Sequence, residues 1–71
     1  MSNTYGVVEQ KVLYALIDLA DENGIARVNN IDIAHEIGYK TSGGAITWAL
    51  KLLRIKNKIC KLSKNEYRVL V

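Results

Sequence analysis

Residues 29–59 read NNIDIAHEIGYKTSGGAITWALKLLRIKNKI, and the spacing within this stretch decides the fold. Asn29 can cap the free N–H groups of a helical first turn. Asp32, three residues on, completes a capping-box arrangement. Ile33, Ala34 and Ile37 follow at helical steps and Gly38 stops the run, which predicts a short helix over about 30–37. Tyr39-Lys40-Thr41-Ser42-Gly43-Gly44 is turn material, with Thr41 and Ser42 as candidate caps for a further helix over about 43–56. Around that helix Ala45, Ile46, Ala49, Leu50 and Leu53 gather on one face. Gly44, Thr47, Lys51, Arg54 and Lys58 line up on another, and Trp48 and Ile55 lie on the far flank, with Leu52 between them and the core. Asn57 is placed to take the left-handed conformation just past the helix end.

Working outward, Val8, Val12/Leu13, Leu16/Ile17 and Ala20 recur at three- and four-residue steps, predicting an amphipathic helix over about 5–23. Asn23-Gly24 closes it, and residues 1–5 are expected to be disordered. Ile25-Ala26-Arg27-Val28 is too short for a helix and β-branched or apolar at its ends, so a short strand is expected there. On the C-terminal side, Ile59–Leu62 and Tyr67–Val71 are strand-like around a loop at Ser63-Lys64-Asn65-Glu66. The order is helix, short strand, helix, turn, helix, hairpin, with the hairpin over about 59–71. The fold class expected is a single α+β domain, mainly α, spanning residues 1–71.

With 71 residues, the chain is near the size at which one apolar core is only just sufficient. Its apolar fraction of 49% argues for a folded domain rather than a disordered tail. No run approaches the ~18 apolar residues of a membrane span, and no signal peptide is visible. Cys60 is the single cysteine, so no internal disulfide is expected, and no Cys/His cluster has metal-ligand spacing. The setting expected is a reducing cytoplasm, nucleoid-associated in a prokaryote. No Ser/His/Asp set, no carboxylate pair in an evident cleft and no phosphate-binding Gly-rich loop after a strand is seen, so the chain is not read as an enzyme, and no cofactor, metal or small-molecule substrate is expected.

Charge is divided along the chain. Residues 1–38 hold Lys11 and Arg27 against Glu9, Asp18, Asp21, Glu22, Asp32 and Glu36, a net of 2 − 6 = −4. Residues 39–71 hold Lys40, Lys51, Arg54, Lys56, Lys58, Lys61, Lys64 and Arg68 against Glu66, a net of 8 − 1 = +7. Such asymmetry points to a polyanion, although a solvated lysine-rich face reads the same way on charge alone.

The element order, with Asn29 and Asp32, Ile33-Ala34, Ile37-Gly38, then Ile46, Leu50 and Leu53, and Asn57 with Ile59, resembles the winged helix-turn-helix family. The resemblance covers roughly residues 12–71. One departure is the turn, about two residues longer than the usual form because of Gly43-Gly44. The branch of winged helices that binds Z-form nucleic acid uses an Asn and a Tyr where Thr47 and Lys51 stand, and prolines in the wing. This chain has no proline, and the resemblance does not extend to that branch.

The resemblance implies sequence-selective binding of double-stranded DNA, with the third helix in the major groove and the basic wing on the backbone or in the minor groove, as in a small transcriptional regulator. Thr47, Lys51 and Arg54 have the chemistry for base edges or phosphates. Ser42, Gly43 and Gly44 leave N–H groups of the helix start open to a phosphate. Lys58, Lys61, Lys64 and Arg68 would track the backbone, although lysines on an edge strand also serve to prevent edge-to-edge pairing. Trp48 is expected to pack under the wing; with Ile55 it is also a candidate contact for a homodimer, and a contact with DNA sugars is the third alternative. Cys60 is read as a small apolar filler in preference to a redox sensor, Tyr14 and Tyr39 as core margin, and His35 as a surface residue or a phosphate contact. The alternative function is a protein-interaction module anchored by Trp48, Leu52 and Ile55.

Overall fold

The computed structural model describes residues 4–40 and 43–70. Its elements are α1 (Thr4–Leu19), β1 (Ile25–Arg27), α2 (Asn30–Glu36), α3 (Gly44–Ile55), β2 (Ile59–Ser63) and β3 (Glu66–Val69). The chain is thus mainly helical α+β, three helices against an antiparallel sheet in the order β1-β3-β2. No helix among the described residues is long and apolar enough to cross a membrane.

The stretch that decides the fold forms much as its spacing demands. Asn29 caps α2 through a full capping box: its Oδ1 accepts from Asp32 N at 2.9 Å, and Asn29 N donates to Asp32 Oδ2 at 3.3 Å. At the other end Gly38 takes φ +88, with Gly38 N donating to His35 O and Tyr39 N to Ala34 O. Those two bonds satisfy carbonyls that the helix end would otherwise strand. Asn57 repeats the device after α3, at φ 59, with Asn57 N donating to Arg54 O and Lys58 N to Leu53 O. The α3 N-cap is Gly43, with no side-chain cap; Thr41 and Ser42 lie outside the described residues.

Three boundaries differ from the sequence expectation. First, α1 ends at Leu19, not near residue 23. Asp21 ends it, its Oδ1 accepting from Asn23 N at 2.8 Å and Ile25 N at 3.0 Å, so its side chain supplies the turn. Gly24, at φ +77, serves the entry to β1: its carbonyl accepts from Val69 N at 2.8 Å. Second, Thr4 and Tyr5, expected to be disordered, are helical. Residues 1–3 lie outside the description. Third, the hairpin loop is tighter, with Ser63 and Glu66 paired as strand ends and the irregularity moved into β2 between Lys61 and Ser63.

The core joins Val8, Val12, Ala15 and Leu16 of α1 to Ile33, Ala34, Ile46, Ala49, Leu50 and Leu53, and is closed by Ala26, Ile59 and Tyr67 of the sheet. Burial of these side chains is the main stabilising term, at about 25 cal/mol per Å² of apolar surface. Four residues depart from their expected places: Ile17 is 42% exposed, Tyr14 59%, Trp48 45%, and Cys60 is exposed. The α1 stripe turned inward is Val8–Val12–Ala15–Leu16, which leaves Ile17 and Tyr14 on the far side of the same helix. Tyr39 does lie at the core margin, partly buried against it.

Candidate nucleic-acid interface

The side of α3 that carries Thr47, Lys51 and Arg54 faces the β2–β3 hairpin, and a groove of about 940 Å³ opens between them. Its floor is Leu50, Ile59 and Tyr67, all buried, so the helix and the hairpin are held at a set separation by the core itself. Lys61 and Lys64 stand on the hairpin wall. Among the described residues no Asp or Glu lines this groove. Four cationic side chains with only donors to offer therefore converge on one concave face.

Several contacts set the positions of these groups. Asn30 Nδ2 donates to Thr47 Oγ1 at 3.3 Å, tying the first turn of α2 to the start of the α3 polar stripe. Lys51 Nζ lies 5.4 Å from the centre of the Trp48 ring, and Lys61 Nζ 5.9 Å from that of Tyr67. Both distances are within cation–π range. Burial raises the Tyr67 hydroxyl above its ordinary value, an effect that nearby Arg54 opposes.

The hairpin is anchored from below. Arg27 Nη1 donates to Asp21 Oδ2 at 2.8 Å and its Nε to Glu66 Oε2 at 3.1 Å, while Ser63 Oγ donates to Glu66 Oε1 at 2.7 Å. Val28 N donates to Asn65 O at 2.9 Å, joining the end of β1 to the hairpin tip. Hydrogen bonding from the Ile25 N–H and then from Arg27 holds the Asp21 carboxyl below its ordinary range, and Ser63 and then Arg27 do the same for Glu66. The same two carboxylates raise Arg27, Asp21 first.

Of the residues singled out in the sequence, Thr47, Lys51, Arg54, Lys61 and Lys64 meet in the groove. Lys58 and Arg68 are exposed but do not line it, Arg68 lying on central β3 opposite Ile25 and Cys60. Gly43 and Gly44 are exposed at the α3 start, with open space where a Cβ would sit; Ser42 is outside the described residues. Trp48 lies outside the groove, whereas Ile55 reaches its rim. Packing of Trp48 under the hairpin is not what the structure has: the ring sits on the outer flank of α3 beneath the Lys51 ammonium. Sequence reading missed Asn30, Asn65 and Cys60 as groove residues. Asn30 follows a strong cap and carries no pattern of its own, and Cys60 is turned outward by the strand that buries Ile59.

Compared with family models, with curated proteins and with solved structures, the chain matches none.

Proposed function

We propose that the chain is a winged helix-turn-helix protein that binds double-stranded DNA selectively and acts as a small transcriptional regulator. In this reading α3 enters the major groove and the β2–β3 hairpin is the wing on the backbone or in the minor groove. The observation that carries it is the convergence of Lys51, Arg54, Lys61 and Lys64 on one groove without an acidic side chain in its lining. Arg54 can donate two parallel N–H groups to a guanine edge, Lys51 can reach a base or phosphate, and Thr47 offers a hydroxyl and a methyl for thymine. Lys64, next to Asn65 at the hairpin tip, suits the phosphate backbone. A gel shift on random duplex followed by selection of the bound sequences tests it. Enrichment of a motif supports base reading, and absence of any shift at low salt defeats the proposal.

One observation favours a second reading, a protein-interaction module. Trp48 and Ile55 expose 45% and 65% of their surface on one flank of α3, with Leu52 half-buried behind them, and exposed aromatics are typical interface anchors. Bulk duplex displaces a DNA-bound chain at low salt but leaves a protein complex intact.

A further inference from the structure

Helix α1 carries a second apolar surface that the core does not use. Val7 is 52% exposed, and together with Tyr14 and Ile17 it lies on the side of α1 away from Val8, Val12, Ala15 and Leu16. At about 100° per residue these three fall within about 80° of arc, with exposed Gln10 between them. Lys11 and Asp18, both exposed, run together along one edge of that arc, about 20–40° beyond Val7. Neither makes an ion pair among the described residues. They cannot pair with each other, because seven residues of helix separate them by about 10.5 Å.

We propose that this face of α1 docks antiparallel on the same face of a second copy of the chain. A two-fold axis passing between Tyr14 and Ala15 places Lys11 and Asp18 at equal heights on opposite sides of the axis, about 5 Å from it. The same axis keeps each on its own edge of the seam. Lys11 therefore meets Asp18 of the second copy, and the contact is made twice. Tyr14 lies beside its own counterpart at the centre, flanked by Ile17 from both chains. A parallel seam would instead carry the Lys11–Asp18 edges of the two copies to opposite sides of the pair, where neither charge meets a partner. Antiparallel pairing also aligns the helix dipoles favourably.

The outer flank of α3, another exposed apolar surface, lacks this complementarity. Lys51 lies over Trp48, and the neighbouring Arg54 and Lys58 are also cationic, so two copies meeting there would oppose like charges. With the axis between Tyr14 and Ala15, residues 10–19 of the two helices overlap over about 15 Å, which buries less than the ~800 Å² per partner of a standard interface, so the dimer is weak. The inference does not depend on what fills the groove; if that is DNA, each dimer presents two basic faces.

Sedimentation equilibrium of the full chain at low salt, from about 1 to 500 µM, tests it. The weight-average mass is expected to rise from the 8.0 kDa of the monomer towards twice that value. Tyr14→Asp should keep the chain monomeric with an unchanged circular dichroism spectrum. Lys11→Glu alone and Asp18→Lys alone should each weaken association at least several-fold, and the two together in one chain should restore it. That restoration is a readout no intramolecular role could produce. The proposal is overturned by a chain that stays monomeric throughout, by a double charge reversal that does not recover, or by a dimer that survives Tyr14→Asp but is lost in Trp48→Ser.

Discussion

Between Glu9 and Asp32 three carboxylates hold structural contacts, whereas between Lys51 and Arg68 the cations are mostly turned outward. Asp21 builds the turn into β1 and holds Arg27, Asp32 closes the α2 capping box, and Glu9 receives Lys56 at 2.9 Å. Glu66, the single acid of the second half, bonds Arg27 and Ser63. Of the basic residues after position 39, only Lys56 forms an ion pair among the described residues. A net charge of +3 therefore understates the field at the groove. Four of the seven acids are engaged in local structure, and four of the cations left outward converge where α3 meets the hairpin. What this teaches is that charge asymmetry along a chain becomes informative once the structurally engaged charges are set aside.

The comparison is broken most severely by salt. If the groove neutralises phosphates, binding to duplex should fall with a log–log slope of about −3 to −6, so a fourfold rise in salt weakens it about 60- to 4,000-fold. A slope near zero would show that the outward cations meet no polyanion. Stability offers the next largest contrast: Leu53→Ala, deep in the core, should cost about 2–5 kcal/mol by chemical denaturation. Trp48→Ala should cost clearly less, and the indole of the dilute monomer should emit red-shifted and be readily quenched. A blue-shifted, protected indole would restore a packing role for Trp48.

Smaller again are the single cations. Arg54→Ala or Lys51→Ala should cost about 1–3 kcal/mol of duplex affinity and relax base preference. Lys64→Ala should weaken all sequences alike and make the salt slope shallower by about 0.9. Equal losses with unchanged preference in all three would mean coating without reading. The smallest effect lies in the acidic half. Asp21 and Glu66 have folded values below the ordinary ones, so the stability they contribute is complete above the carboxylate range and is lost as pH falls through the depressed values. Asp21→Ala should therefore lower the melting temperature at neutral pH and differ progressively less from the parent as the solution is acidified. A difference that persists undiminished in acid would assign the Asp21 effect to the turn alone and not to its charge.

Legibility followed how local each signal was. The α2 capping box, Gly38 and Asn57 were all readable, because each is settled by bonds within a few residues. Thr47, Lys51 and Arg54 were readable as a stripe from helical periodicity. The end of α1 was misjudged because Asn23-Gly24 looks like a helix stop, while Asp21, whose side chain competes for the same N–H groups, carries a weaker pattern. Ile17 was ambiguous beside Leu16, since adjacent apolar residues both fit a helical stripe until the packing partner chooses one.

By itself the sequence determined the element types and order, the caps, the inward face of α3 and the segregation of charge, because these depend on short-range geometry and on composition. Only the tertiary structure decided that β1 adds to β3, that Arg27, held by nearby Asp21, reaches Glu66 across 39 residues of chain, and that Lys61 and Lys64 come to face Lys51 and Arg54. It alone decided that Trp48, Tyr14 and Ile17 stand outside the core. Those outcomes depend on which surfaces close over one another. That is a competition among long-range contacts, each of which must offset the entropy of closing a loop, and no local pattern encodes its result.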